Sequence, residues 1–265
     1  MENVVIVIPV HEYNEGVKTM LANAIESVGE KEIYISTTKE IKKNIEEDFK
    51  RPLTFVTSAK NTSFQALINA AVKTMQKNKD KWFSILEYDD SYTSYWFDEA
   101  KRYYQVNPDV SVFLPLTQLV KESKKDEYVF VGYGNEAPWA SAFSNEIGFV
   151  DFEVLSNYFD FYLTGSIINV DDFLTVGGLK ESLKLVFWYE FLLRLTNKEK
   201  KVYVVPKIGY NHLVDRKGSL FDTYKTTLEE KEVKGWYDIA KQECYFMQDR
   251  NKTYDKNKET EEEED

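Results

Sequence analysis

The first hundred residues alternate between short apolar runs and amphipathic segments, and this alternation restricts the fold more than any other feature. The predicted strands are residues 4–10, 33–37, 53–56 and 82–86, and the predicted helices are residues 17–28, 39–49, 64–76 and 94–104. The first run is β-branched almost throughout, which is typical of a strand covered on both faces. Strands that alternate with helices pair in parallel through right-handed crossovers. The pattern predicts an α/β fold, a doubly wound, mixed, mostly parallel sheet with helices on both faces.

The second half of the chain is less regular. Strands are predicted at 110–116, 165–170 and 202–206, and helical segments at 149–161, 171–176 and 189–196. Residues 121–128 are expected to be a charged connection and residues 129–139 a glycine- and aromatic-containing loop. We expect two halves of one domain, 1–110 and 111–219, then a helical extension over 220–248. The acidic tail at 249–265 is expected to be disordered.

Composition sets outer limits on the function. The chain has 265 residues, 43% of them hydrophobic, which is enough for one large core. Its single cysteine, Cys244, excludes an internal disulfide. The start resembles no signal peptide and no apolar run is long enough to span a membrane, so we expect a cytoplasmic protein. The net charge of -11 argues against a broad nucleic-acid surface.

Three carboxylates follow the fourth predicted strand: Glu87, Asp89 and Asp90. In open α/β sheets, ligands bind beyond the carboxyl ends of the strands. Clustered carboxylates repel one another unless a cation lies between them, and Mg²⁺ or Mn²⁺ prefers such oxygen ligands. The sequence therefore predicts a divalent-cation site here, with a solvated acidic turn as the alternative.

Six short motifs stand in a recognisable order. They are Ile8-Pro9-Val10 with Tyr13-Asn14-Glu15; Asn61, Ser63, Ala66 and Asn69-Ala70-Ala71; Leu86-Glu87-Tyr88-Asp89-Asp90; Gly165-Ser166 with Val176-Gly177-Gly178-Leu179; Arg194; and Val204-Val205-Pro206 with His212 and Gly218-Ser219. Together they resemble a glycosyltransferase of the GT-A fold, family 2 type, over residues 4–219.

The resemblance implies metal-dependent transfer of a sugar from a nucleotide-diphosphate sugar to a hydroxyl of a glycan or protein. It implies a nucleotide site at Pro9, Asn14, Glu15, Asn61 and Asn69. It also implies an Mn²⁺ or Mg²⁺ site at Asp89, assisted by Glu87 or Asp90. His212 is expected to be a third ligand or a diphosphate contact; the alternative is a hydrogen bond within a loop.

Several positions depart from the family's pattern. The second strand ends in Ser36-Thr37-Thr38, where the family has an acid that holds the base. Glu87 replaces an aspartate, and the family's third-strand loop glycines are missing. Phe187-Trp188 stands where the family has its acidic pair, whose second acid is the catalytic base.

The base must then be another acid. Glu190 is one candidate; Asp171, Asp172 and Glu181 are the others. Trp188 is interpreted as an acceptor-stacking platform or as a core residue.

Two classes of function follow. One is an active glycosyltransferase; the other is a catalytically inactive GT-A domain that binds a partner within a larger assembly. A nucleotidyltransferase is disfavoured because no glycine-rich basic loop follows the first strand.

Overall fold

The computed structural model describes residues 1–241, apart from 2, 61, 124–126, 141–143, 145, 184, 229–230 and 233. The expected acidic tail at 249–265 and the end of the helical extension lie outside the described residues. Within those residues, no helix is both long enough and apolar enough to cross a bilayer.

The amino-terminal half follows the predicted alternation. Its elements are β1 (Val4–Pro9), α1 (Glu15–Ser27), β2 (Ile33–Thr38), α2 (Lys39–Asp48), β3 (Thr54–Ser58), α3 (Phe64–Asn78), β4 (Trp82–Ile85), β5 (Ser91–Tyr92) and α4 (Trp96–Val106). Polar side chains fix the helix starts: Asn14 accepts from the Val17 amide at 3.0 Å, and Ser63, the predicted cap of α3, accepts from Ala66 at 3.2 Å.

The carboxy-terminal half adds two long strands. Its elements are β6 (Val110–Glu122), β7 (Tyr128–Gly134), a 3₁₀ turn (Ala137–Trp139), β8 (Phe149–Val150), α5 (Phe152–Asn157), β9 (Ile167–Asn169), α6 (Val170–Thr175), α7 (Phe187–Asn197), β10 (Lys201–Leu213) and α8 (Leu220–Thr227).

The sheet order is β3-β2-β1-β4-β9-β6-β10-β5, with β7 on β6 and β8 on β10. β3, β2, β1 and β4 are parallel neighbours, as predicted, and β6 is parallel to β10. β9 joins these two parallel groups because it pairs antiparallel with both β4 and β6. Most paired positions are parallel, so the predicted mixed, mostly parallel sheet is confirmed.

Each face of the sheet is covered by its own core. Val5 and Val7 of β1 pack into one cluster with α3, α6 and α7, whereas Ile6 and Ile8 pack into the other with α1 and α4. Every residue of β1 is buried. The uninterrupted apolar run thus reflects a central strand that contacts protein on both sides.

Three predictions for the second half were wrong. Residues 129–139 are largely strand β7, with Tyr128, Val129, Phe130 and Val131 each at least half exposed. Residues 149–161 contain strand β8 and the short helix α5 instead of one long helix. β10 continues past Pro206 to Leu213, because shifts in its register with β6 accommodate the proline and Gly209 within one strand.

Candidate active site

The carboxyl ends of β4 and β10 bring an acidic triad together at one edge of the sheet. Glu87 and Asp90 follow β4, and His212 is near the end of β10. One ligand atom from each of these residues lies within 4.8 Å of the others. We call Glu87, Asp90 and His212 the acidic triad.

Asp90 is the fixed member of the triad. It is buried, its Oδ2 lies 2.8 Å from His212 Nδ1, and its Oδ1 accepts from the Leu213 amide at 2.8 Å. The turn after β4 is therefore held directly against the end of β10. Tyr210 reinforces this junction, because its hydroxyl accepts from the Glu87 amide at 3.1 Å.

Asp89, expected to be the best-placed metal ligand, faces an arginine. Arg216 Nε donates to Asp89 Oδ2 at 2.6 Å, and Arg216 Nη2 donates to the Tyr88 hydroxyl at 3.0 Å. The Tyr88 hydroxyl donates in turn to Glu12 Oε1 at 2.8 Å. This second network links the loop after β1 to the segment after β10 and runs beside the triad.

The surroundings of the triad raise the pKa values of Glu87 and His212. Burial, followed by the Asp90 carboxylate, raises the pKa of Glu87 to about 8. Burial opposes the charged form of His212, but the Asp90 carboxylate and its hydrogen bond, together with the Glu87 and Asp89 carboxylates, outweigh burial and raise the His212 pKa to about 9. Burial and Asp90 also raise the pKa of Asp89, against the opposing effect of Arg216.

These donors suit a hard or borderline divalent cation. Two carboxylates and one imidazole match the preferences of Mn²⁺, and carboxylates match those of Mg²⁺. Burial and then the nearby Asp90 carboxylate raise the pKa of Glu87, and a bound cation would offset both effects by stabilising the charged carboxylate. Glu87, Asp90 and His212 could therefore hold the metal, with Asp89 adjacent.

A cavity opens from the triad toward the amino-terminal end of α7. Its lining residues include Pro9, His11, Phe64, Glu87, Asp89, Phe159, Asp160, Tyr162, Phe187, Trp188, His212, Asp215, Arg216, Asp222, Tyr224 and Tyr237. Tyr162 lies beside the triad, because its ring centroid is 5.4 Å from that of His212.

The expected nucleotide-binding residues are dispersed. Pro9 lines the cavity, whereas Asn14 caps α1 and Glu15 is exposed in the first turn of that helix. The Asn69 amide pairs with both backbone groups of Leu179, at 2.8 and 2.9 Å, and so clamps α3 to the turn at Gly177-Gly178. Asn61 lies outside the described residues.

The hydroxyl residues at the end of β2, where the resemblance implies a base-binding acid, form hydrogen bonds within the fold. Ser36 Oγ donates to Leu67 O at 2.7 Å and Thr37 Oγ1 donates to Val10 O at 2.7 Å. Thr38 Oγ1 accepts from the Ile41 amide at 3.3 Å and caps α2. All three hydroxyls thus hold backbone in place.

Glu190, the foremost base candidate, is part of a buried ion network. It is 3% exposed, accepts from Arg194 Nε and Nη2 at 2.8 Å each, and lies 3.1 Å from Lys180 Nζ. Arg194 also donates to the carbonyl oxygens of Val176 and Gly178. This network ties α7 to the Gly177-Gly178 turn.

The remaining base candidates and Trp188 have these positions. Asp172 pairs with Lys200 at 2.5 Å, Asp171 is exposed in the first turn of α6, and Glu181 lies 3.4 Å from the Asn69 amide. Trp188 is half-buried, lines the cavity, and packs edge-on against Phe64 with centroids 5.9 Å apart.

Sequence reasoning missed Arg216, His11 and Asp160 as lining residues. Arg216 had one available signal, since it is a cation four positions after His212. His11 directly follows the β1 segment, and burial lowers its pKa. Asp160 is in a segment without regular structure, so no periodicity indicated its direction.

No protein family model matches this sequence. No curated protein matches it either.

Solved structures of TarS from S. aureus do match the fold. TarS 1-349 in complex with UDP-GlcNAc matches 83% of this chain and 61% of its own, at 12% identity and a TM-score of 0.59. TarS 1-349 in complex with UDP matches 87% of this chain and 68% of its own, at 12% identity and a TM-score of 0.55. A longer TarS structure matches 87% of this chain and 41% of its own, at 13% identity and a TM-score of 0.55. The chain thus spans about three fifths of the first TarS structure. TarS is a GT-A-type glycosyltransferase, and the likeness shows that this chain has the GT-A fold.

Proposed function

We propose that this protein is a metal-dependent glycosyltransferase that moves a sugar from a nucleotide-diphosphate sugar to a hydroxyl acceptor. The observation that carries the proposal is the convergence of Glu87, Asp90 and His212 at the carboxyl edge of a GT-A sheet. TarS, which shares the fold, has been solved with UDP-GlcNAc and with UDP, so uridine diphosphate is the first nucleotide to test.

The residues of the triad would act on the leaving group. As the acceptor oxygen bonds to the anomeric carbon, the bond between that carbon and the diphosphate breaks and its electron pair leaves with the diphosphate. The acceptor hydroxyl's proton passes to water, and negative charge grows on the diphosphate. A divalent cation bound there supplies electrostatic stabilisation of that charge. Glu87, Asp90 and His212 would hold it, and Arg216, which lines the same end of the cavity, would contact the phosphates.

Calorimetry with UDP tests the donor site. We expect wild-type protein to bind UDP with Mn²⁺ and to lose most of that affinity in excess EDTA. Asp90→Asn should bind as weakly as the chelated wild type. Asp109→Asn, which removes an exposed carboxylate paired with Lys201, is the matched control and should bind normally. Equal UDP affinity with and without metal would contradict the proposal.

A second candidate is an inactive GT-A domain that binds a partner. It is favoured by the network that occupies Glu190, because a carboxylate paired with Arg194 and Lys180 is not poised to accept a proton. General-base assistance is typically worth about 10²–10⁴ in rate. Release of UDP from UDP-sugars distinguishes the two: metal-dependent UDP binding without any turnover, with or without added acceptors, would favour the inactive domain.

A further inference from the structure

The cavity has two chemically different ends. The triad end carries the cationic groups, with His212 and Arg216 beside Glu87 and Asp89. Arg216 is the one lysine or arginine among the lining residues of the described chain. The opposite end consists of aromatic rings and carboxylates. We call this second region the aromatic end; its lining residues are Phe64, Phe159, Asp160, Phe187, Trp188, Tyr189, Asp222, Tyr224 and Tyr237.

Two rings present usable faces at the aromatic end. Phe159 is 47% exposed and is braced by Tyr237, whose ring centroid is 4.7 Å away. Trp188 is half-buried and is held between Phe64 and Phe187, with centroid distances of 5.9 and 4.3 Å. Rings fixed in this way offer flat apolar surfaces at little cost in conformational entropy. The C–H face of a sugar ring is a flat apolar surface of matching size.

The charges at this end are negative. Asp160 is exposed next to Phe159, and Asp222 lines the same end, whereas Asp215, which pairs with Lys121 at 3.2 Å, directly precedes Arg216. Carboxylates accept hydrogen bonds from hydroxyl groups, whereas they repel phosphate, sulfate or carboxylate groups on a ligand. An anionic polymer at the aromatic end would meet this repulsion without a nearby arginine or lysine to offset it, because Arg216, the one such residue among the described lining residues, is at the triad end.

We propose that the aromatic end binds an uncharged oligosaccharide, with Phe159 and Trp188 stacking on its rings and Asp160 accepting a hydrogen bond from one of its hydroxyls. The inference rests on the proposed function in one respect, because it makes this oligosaccharide the hydroxyl acceptor. Tyr162 follows Asp160 by two residues and touches the His212 ring, so the segment runs from the proposed sugar site to the triad. A hydroxyl bound at Asp160 would thus face the donor end.

Binding of defined oligosaccharides tests the inference without requiring turnover. The probes are three neutral hexasaccharides (cellohexaose, maltohexaose and chitohexaose), the anionic hexagalacturonate and the cationic hexalysine. Each is titrated by calorimetry into the full chain with Mn²⁺ and UDP present, and again without them. We expect at least one neutral hexasaccharide to bind with a Kd below about 1 mM and to bind more tightly than either charged probe.

Variants locate the site. Phe159→Ala and Asp160→Asn should each weaken neutral-hexasaccharide binding by at least tenfold and leave UDP affinity unchanged. Tyr95→Ala is the matched control, because Tyr95 is 46% exposed and is absent from the described lining residues. The hexasaccharide affinity of Trp188→Ala is compared with that of the wild type only if the variant unfolds cooperatively on heating.

The two proposals fail separately. Loss of metal-dependent UDP binding with intact hexasaccharide binding would overturn the transferase and leave the carbohydrate site standing. Tighter binding of hexagalacturonate or hexalysine, no binding of any neutral hexasaccharide at 10 mM, or binding unaffected by both Phe159→Ala and Asp160→Asn would overturn the carbohydrate site.

Discussion

Arg216 donates to Asp89 across 127 positions of sequence, at 2.6 Å, and the same guanidinium reaches the Tyr88 hydroxyl at 3.0 Å. This pair joins the turn after β4 to the segment after β10. It also neutralises the carboxylate that lies next to the triad. The loss of Arg216 should therefore weaken both ligand binding and the contact between these two segments.

Arg216→Ala should weaken UDP binding by roughly 10- to 100-fold, because hydrogen bonds to charged groups contribute about 1.5–3 kcal/mol. Arg216→Lys should recover part of that loss, since an ammonium keeps the charge but cannot make both contacts. Calorimetry with Mn²⁺ and UDP measures this. Arg102→Ala, which removes an exposed arginine paired with Glu99, is the control and should have no effect. Equal affinities in all four proteins would exclude a phosphate contact by Arg216.

Mn²⁺ affinity should depend more strongly on Asp90 than on Asp89. Asp90→Asn removes a triad member and should reduce Mn²⁺ affinity strongly, whereas Asp89→Asn should reduce it less, because Asp89 pairs with Arg216. Electron paramagnetic resonance of free Mn²⁺ gives both affinities. Asp90 also accepts from the Leu213 amide, so cooperative unfolding of Asp90→Asn must be checked first. A larger loss in Asp89→Asn would assign the metal to Asp89.

Without metal, stability should fall as the pH rises from about 6 to 9. The pKa values of Glu87 and His212 in the folded protein are raised to about 8 and about 9. At any pH between the unfolded and the folded pKa of either group, the native state therefore holds more protons than the unfolded state. The stabilisation is full below the unfolded pKa of each group and is lost as the pH rises through the folded pKa, by at most about 1.4 kcal/mol per proton and pH unit.

Metal should reverse that trend. A bound cation requires the deprotonated ligands, so the rise in melting temperature caused by Mn²⁺ should grow between pH 6 and 9. Thermal melts with Mn²⁺ and with EDTA at each pH measure both effects. His212→Gln should flatten the metal-free profile. A Mn²⁺ effect that shrinks with rising pH would argue against metal binding by the triad.

Glu190→Gln should impair stability and spare the chemistry. Removing one partner of a buried ion pair costs about 3 kcal/mol or more, and Glu190 holds Arg194 against the Gly177-Gly178 turn. Chemical denaturation measures the loss. Glu99→Gln, which breaks a surface pair with Arg102, should cost less than about 1 kcal/mol. If folded Glu190→Gln loses transfer while keeping UDP binding, Glu190 is the base after all.

The parts of the fold that could be predicted are those where burial or helix capping requires particular residue types in the sequence. β1 is apolar at every position because both its faces are covered, and Ser63 caps α3 through its own side chain. β7 escaped prediction because its residues are exposed and interrupted by Gly132. The continuation of β10 escaped because Pro206 normally ends a central strand, whereas here shifts of register absorb it.

The sequence could predict where the candidate site lies, but not the directions in which its side chains point. An apolar strand that ends at Glu87, Asp89 and Asp90 identifies the edge of the sheet. Adjacent residues in a turn point in different directions, however, and only the end of β10 determines that Asp90 meets His212 while Asp89 meets Arg216. Glu190 looked available because its partners, Lys180 and the i+4 residue Arg194, combine only in the folded chain.

The distance in sequence between Asp90 and His212, 122 residues, has a consequence for synthesis. A ribosome releases the acidic turn long before it releases the strand that completes the triad. Until β10 is paired along β6, Glu87 and Asp90 lack His212 as their fixed third ligand. Nascent chains halted before residue 201 should therefore retain no more Mn²⁺ than an acidic peptide, and tight Mn²⁺ retention should appear only once residue 213 has left the exit tunnel. The cation would then report that the last long strand has docked.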